Sequence, residues 1–352
     1  MRGQHRSSAR IPWAWVASLI LVLALGATAY AFRDRFLGLF ENEAPRTDPV
    51  PGPTVTPSPT PPASPTPERG RLVIHATGDV NLDPARIPTF RAHGYRYAWT
   101  GLRNIFRKDD LTIINLECAA SDLGSPVPKE FNFRCDTEAL PIARRFGVEV
   151  ANQANNHAGD YGKEALLDSR RNIIRAGMAP VGTGRDARQA NQAAILEIEG
   201  WTVAVLGFGG VVPEPGWIAT ADRAGMADGD DTASMVRAVK RAKRKADLVL
   251  VTVHWGVELD TRPRPDDERR ARAMIDAGAD AIFGHHSHRL NPVDRYKGKP
   301  IFWGLGNFVW PALSEAGATT GVARITVEPD GGIKAKLLPA HIEDHGHPVL
   351  RG

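Results

Sequence analysis

The feature that most constrains this chain is a series of short apolar runs, each stopping near a residue able to hold a metal ion. Arg71 to Thr77 (RLVIHAT) ends at Gly78-Asp79, and Leu111 to Asn115 (LTIIN) ends at Leu116-Glu117. Gly147 to Ala151 (GVEVA) leads into Asn155-Asn156-His157, and Leu248 to Val253 (LVLVTV) delivers His254. Ala281 to Phe283 stops just before Gly284-His285-His286-Ser287-His288. Runs this short and this rich in β-branched residues read as strands, and LVLVTV reads as a strand buried on both faces. A sheet of such strands presents its carboxyl ends along one edge, where sites form, so five strand-end motifs point to one place. In the histidine motif, side chains spaced by one residue can turn to a common point only if the loop leaves the pleat.

The segments between these strands complete an α/β pattern. Gly162 to Ala176 reads as an amphipathic helix with Leu166, Leu167, Ile173 and Ile174 on its apolar side. Asp231 to Ala246 reads as a helix with a basic outer face, and Asp266 to Ala277 as another with Gly278 as its C-cap. Three hairpins are expected: Ala193 to Ile198 with Thr202 to Phe208, Asn291 to Tyr296 with Pro300 to Leu305, and Val322 to Val327 with Ile333 to Leu338. Alternation of strands and helices followed by hairpins predicts two sheets packed together with helices outside.

A chain of 352 residues is long enough for one large α/β domain plus appendages. The formal net charge of +4 is small and the arginines are scattered, which argues against a nucleic-acid partner. Residues 1–12 are basic, and the uncharged stretch from Trp13 to Phe32 has the length of a membrane-crossing helix. The flanking charges then place the N-terminus in the cytoplasm and the rest of the chain outside. The competing reading is a cleaved signal peptide, with Ala29-Tyr30-Ala31 as a small-x-small site and a secreted product. Residues 33–70, rich in Pro and Thr, read as an extended linker, 71–340 as the folded domain, and 341–352 as a flexible C-terminus. An exported domain meets an oxidising environment, so the only cysteines, Cys118 and Cys135, are expected to pair; two buried thiols or soft metal ligands are the alternatives.

Metal chemistry at a phosphoester needs carboxylate and imidazole ligands, with one carboxylate bridging two ions. Asp79 and Glu117 are the carboxylate candidates, His254, His286 and His288 supply nitrogens, and Asn156 an amide oxygen. His157 is then left as the proton donor to a leaving oxygen or the group that stabilises charge on the transferring phosphoryl, with water as the nucleophile. Each motif alone has a plainer explanation. Gly-Asp after a strand is more often a turn, Glu117 could cap a helix, His254 could be a packed strand end, and Asn155-Asn156 could be only a loop. Their combination carries the metal reading.

Gly78-Asp79-Val80, Asn115-Leu116-Glu117, Ala154-Asn155-Asn156-His157 with Asp160-Tyr161-Gly162, His254-Trp255-Gly256-Val257-Glu258, Gly284 to His288 and Gly304-Leu305-Gly306-Asn307-Phe308 together resemble the CapA family. That family is named for poly-γ-glutamate capsule synthesis and is similar to the calcineurin-like metallophosphatases. The resemblance runs from about Arg71 to about Leu338. It implies a four-layer α/β/β/α sandwich and a site for two divalent ions (Mn, Fe, Zn or Mg). Asp79, Glu117, Asn156, His254, His286 and His288 fall at ligand positions and His157 at the position of the catalytic histidine. The superfamily's first motif is Asp-x-His. Asp79-Val80-Asn81 instead puts Asn81 at the histidine position, and Glu117 replaces the bridging Asp, so one metal site is expected to be altered. Lys129, Arg134 and Glu258 lie in matching segments and are weaker candidates for substrate contact, each equally a structural ion-pair member.

These readings converge on an exported, membrane-attached protein acting in the synthesis, processing or anchoring of an anionic surface polymer such as poly-γ-glutamate by metal-dependent hydrolysis, with that polymer or a phosphoester as substrate, alone or with other polymer-synthesis proteins. The alternatives are a non-catalytic subunit that binds the polyanion, and metal-dependent cleavage of an amide or transfer of a polymer end.

Overall fold

Burial on both faces explains why the strand runs are so continuously apolar. The computed structural model describes residues 68–352. The expected cytoplasmic N-terminus, membrane segment and most of the linker lie outside the described residues, among which no helix is long and apolar enough to cross a membrane. In chain order the strands are β1 (Leu72–Val80), β2 (Leu111–Leu116), β3 (Val150–Asn152), β4 (Ala179–Val181), β5 (Thr183–Gly184), β6 (Ala194–Ile198), β7 (Trp201–Gly209) and β8 (Gly225–Met226). They continue as β9 (Leu248–His254), β10 (Ala281–His285), β11 (Val293–Tyr296), β12 (Lys299–Phe302), β13 (Asn307–Val309), β14 (Thr319–Val327), β15 (Ile333–Asp344) and β16 (His347–Leu350).

One sheet runs β16-β15-β14-β1-β2-β3-β4, with β13 also paired to β1; the other runs β11-β12-β10-β9-β7-β6. In both, the central strands are parallel and the outer hairpins antiparallel. Along each strand, alternate residues face opposite layers. Leu72, Ile74 and Ala76 of β1, Ile113 of β2, Val203 and Val205 of β7 and Leu250 of β9 meet in a core that joins the two sheets. Ile114 and Leu116 turn the other way, toward Trp99, Leu140 and Ile173. Val249, Val251 and Val253 likewise turn toward Met235, Val239 and Met274 on the helices Thr232–Lys243 and Pro265–Asp276. The result is a mixed α/β fold with helices covering the outer faces of two packed sheets.

Two expectations are corrected. Residues 341–352 are not a flexible tail. β15 continues through Asp344, β16 pairs back on it, and Ile342 and Leu350 are buried. The polar residues that hide this pattern in the sequence, among them His341 and Glu343, alternate with the buried ones, as on a sheet with one wet face. In the helix Gly162–Arg175 the covered residues are Ala165, Leu166, Ser169 and Ile173, whereas Ile174 is exposed. The stripe there is narrower than the apolar composition suggests. A disulfide joins Cys118 and Cys135, as expected from the exported reading.

The site edge depends on one close approach. β1 shifts register between Ala76 and Asp79, and there Gly78 passes β13 so tightly that a Cβ on Gly78 would stand 2.0 Å from the carbonyl oxygen of Gly306. Gly78→Ala must therefore push β1 and β13 apart. We expect it to destabilise the fold by roughly 1–3 kcal/mol, read as a lower urea midpoint; an unchanged midpoint would show that the crossing is not rigid.

Candidate metal centre

The carboxyl ends of both sheets deliver the functional side chains to one place. Asp79 lies in the last turn of the pleat of β1, and Glu117 follows β2 directly. Asn156 and His157 come from the loop after β3, His254 ends β9, and His285 ends β10. The backbone then leaves the pleat as the motif requires: His286 has φ +91° and His288 φ +52°. Positive φ is costly for side chains of this kind and persists where the surrounding structure demands it, a pattern common at functional sites.

Asp79, Glu117 and His254 offer one ligand atom each within 4.8 Å of one another, and all three are fully buried. Glu117 Oε1 is the focus. It lies 3.8 Å from His254 Nε2, 3.9 Å from His288 Nε2 and 3.9 Å from His157 Nε2, and it has no hydrogen-bond partner. These distances are too long for hydrogen bonds. His288 Nδ1 stands 3.1 Å from Asp79 Oδ2, and the backbone N–H of His286 donates to the same oxygen at 3.3 Å. The His286 ring is 4.8 Å from that of His254, and Asn156 Oδ1 is 2.8 Å from His254 Nε2.

Beneath the acids lies a platform of amides that sequence reasoning did not single out. The strand register sets Asp79 beside Asn115 and Asn115 beside Asn152. Asn152 Oδ1 accepts from the backbone N–H of Ala154, and Asn155 Nδ2 donates to the Leu116 carbonyl, which fixes both amides. Their Nδ2 groups then face Asn115 Oδ1, at 3.0 and 3.3 Å. Asn115 Nδ2 is thereby turned into the site, 2.9 Å from Asp79 Oδ1, 3.1 Å from His254 Nδ1 and 3.4 Å from Glu117 Oε2. The available signal was the spacing of Asn115 and Glu117, two residues apart and so on one face of a strand. His285 was also missed as a contributor. Its Nδ1 lies 3.6 Å from Asp79 Oδ1, and its Nε2 is 2.8 Å from Thr252 Oγ1.

Burial sets the electrostatics. It raises the Glu117 carboxyl well above the usual range, and the neighbouring Asp79 charge raises it further. Burial pushes Asp79 up as well, but contacts with His288, His285 and Asn115 outweigh it and hold that carboxyl below the usual value. Burial depresses His254 strongly and takes His285 and His286 down to about 4, with His288 adding to the effect on His286. Neutral imidazole is the ligating form, so the array suits N/O coordination at neutral pH.

His157 is held differently. Burial lowers its pKa, opposed by Asp160, whose Oδ2 lies 2.6 Å from His157 Nδ1. Phe133 stacks on the ring at 3.9 Å, which leaves Nε2 directed at the acid cluster. Lys129 Nζ reaches Asp160 Oδ1 at 2.7 Å and lies 3.1 Å from His157 Nδ1, so it sits beside the site. Arg134 instead braces a loop, donating to the carbonyls of Leu123 and Gly124 and stacking on Tyr161 at 3.7 Å. Glu258 is exposed on the loop after β9. The Asn81 carboxamide oxygen accepts from the backbone N–H of Asp83 at 2.9 Å, while its buried Nδ2 has no partner. Asn81 thus shapes a turn with the atom it would need for a hard cation. The orphaned Glu117 Oε1 and His286 Nδ1 fit a divalent metal of mixed N/O preference.

The family described as "Bacterial capsule synthesis protein PGA_cap" matches residues 73–312. The PGA biosynthesis protein CapA of Bacillus subtilis (strain 168) is 34% identical over 209 residues, covering 58% of this chain and 54% of the relative. The capsule biosynthesis protein CapA of Bacillus anthracis is 32% identical over 219 residues, covering 61% and 53%. The chain spans about half the length of these curated relatives. Among solved structures, a putative 5'-nucleotidase from Staphylococcus aureus, in complex with alpha-ketoglutarate, superposes with TM-score 0.50 at 17% identity, covering 77% of this chain and 54% of that one. That likeness is one of fold.

The amide platform leads to a measurable expectation. Asn115→Ala removes the donor shared by both acids and His254, and outer-shell partners of this kind are worth about 10–100-fold in metal affinity. Calorimetric titration with Mn²⁺ should show a loss of that order; unaltered affinity would mean that the platform serves folding alone.

Proposed function

This chain belongs to the bacterial capsule synthesis protein family PGA_cap, and from that premise we propose that it acts on an anionic cell-surface polymer such as poly-γ-glutamate by metal-dependent hydrolysis. The observation that carries the hydrolytic reading is Glu117 Oε1, buried and unpaired among three imidazole nitrogens at 3.8–3.9 Å.

Asp79, Glu117, Asn156, His254, His286 and His288 would hold divalent ions. Divalent ions, when bound, polarise the scissile group and make water a better nucleophile. The protein's own part begins with His157. Asp160 fixes its Nδ1 and Phe133 its ring plane, so that its Nε2 is aimed inward to pass a proton to the departing atom, the oxygen of a phosphoester or the nitrogen of a polymer amide. Lys129 keeps Asp160 in register with that histidine. The positive-φ turn at His286 and His288 sets the His288 ring beside Asp79 and Glu117 and the His286 ring beside that of His254.

The uncharged stretch from Trp13 to Phe32 supports attachment to the cell membrane, with secretion after signal cleavage as the alternative. The Cys118–Cys135 disulfide supports an extracytoplasmic domain. A second reading, a subunit that binds the polyanion without turnover, is favoured by one observation: the Asn81 oxygen is committed to the backbone of Asp83, which removes a ligand from one ion.

Turnover separates the two. Removing divalent metal from the full chain, or substituting His286→Ala, should abolish hydrolysis of a phosphodiester such as bis-p-nitrophenyl phosphate, and His157→Ala should lower kcat by about 10²–10⁴. Hydrolysis that survives both metal removal and His286→Ala would sink the catalytic reading. Polymer binding without any turnover would favour the second.

A further inference from the structure

The helix layer outside the second sheet carries a basic groove that the metal centre does not use. A cavity of about 570 Å³ is lined by Ala187, Arg188, Asn191, Gln192, Ser234, Arg241 and Lys245. It continues, through Asn191, Gln192, Arg241 and Lys245, into a second cavity of about 180 Å³ that adds Ala238, Ala242 and Arg244. No acidic side chain lines either part.

The sequence builds this groove by helical spacing. In the helix Thr232–Lys243 and its continuation, Ser234, Ala238, Arg241 and Lys245 follow one another at intervals of four, three and four, so they share a face. Ala238 and Ala242 are buried and form a low apolar floor between that face and the segment from Ala187 to Ile195. Arg188, Arg241, Arg244 and Lys245 stand exposed along the sides. Two other cations of the same helix are engaged: Arg237 with Asp231, and Lys243 with Asp280. Among the described residues, none of the four groove cations makes an ion pair or donates a side-chain hydrogen bond. Four charges of one sign crowded on a cleft repel one another and are stabilised by an anionic occupant.

We propose that this groove binds a stretch of a linear polycarboxylate, the anionic polymer of the proposed function, at a distance from the metal centre. The shape selects a chain over a surface. A bilayer would meet the cations on a flat or convex face, whereas here they flank a channel. Ser234 to Lys245 spans about 16 Å of helix, room for several units of an extended chain. The alanine floor accepts the apolar spacer of each unit, the guanidinium and ammonium groups accept its carboxylates, and the Gln192 amide adds a neutral donor. The choice of polymer rests on the family reading; the groove itself does not.

The test uses the full chain in mild detergent, with fluorescein-labelled poly-glutamate followed by anisotropy. The triple variant Arg188→Gln/Arg241→Gln/Lys245→Gln keeps the helix and its buried face. It should bind the polymer roughly tenfold or more weakly and with a flatter salt dependence, while metal affinity and thermal midpoint stay unchanged. Equal affinity of variant and parent would overturn the proposal. So would preferential capture by mixed micelles carrying phosphatidylglycerol that the same variant loses, since that assigns the face to lipid headgroups. His286→Ala separates this result from the hydrolytic reading: groove binding should persist in it whether or not the parent turns over substrate.

Discussion

Asp79 and Glu117 are fully buried carboxylates on neighbouring strand ends, and much of the site can be understood as a response to that juxtaposition. Two negative charges this close in a medium of low polarity cannot both persist uncompensated. The protein supplies partial compensation through the Asn115 amide, the His286 backbone N–H and the His288 ring, nearly all of it directed at Asp79. Glu117 keeps one oxygen bare. An acid left this way by the protein's own donors is stabilised by a cation, and the His254 imidazole, kept neutral by burial, can share one without adding charge.

The sheets make that arrangement possible by being rigid on both sides. Each central strand is pinned between the shared core and an outer helix layer, so a strand end cannot swing to relieve the repulsion. The strain is instead held locally, in the positive φ of His286 and His288. The Asn152 and Asn155 amides extend the same rigidity to side chains, because each is fixed at one end to backbone and at the other to Asn115.

Much of this was legible from spacing. Strand-end placement of Asp79, Glu117, Asn156, His254, His286 and His288 follows from apolar runs that stop abruptly, and the structure gathers those residues at one edge. What was not legible lay where a residue's partner is distant in sequence. Asn115 looks like the last residue of an apolar run, and only the register with Asn152 shows it as a hub. The role of Asn81 is likewise set by a local turn to Asp83 that competes with ligation, and a motif position does not reveal which of the two wins. The C-terminal hairpin was missed because strands with one wet face carry half the apolar signal of buried ones. Ile174 misled in the opposite direction, since an apolar residue at the edge of a helical stripe is not obliged to be covered.

Access to the centre is one-sided, and this bears on how a long substrate would be handled. Asp79, Glu117 and His254 have no exposure, whereas His286 and His288 retain 6% and 8%, and Asn156 is half-buried. A reacting bond would therefore come in over the loops that follow β3 and β10, one short segment at a time. A polymer that touched the protein only there would be released after each encounter. Retention elsewhere on the surface changes this, because a chain held at a second point returns its free part to the centre at an effective concentration set by the intervening length, not by the bulk. For a polyanion such retention is best built from unpaired cations on a channel, as in the groove beside the helix Thr232–Lys243.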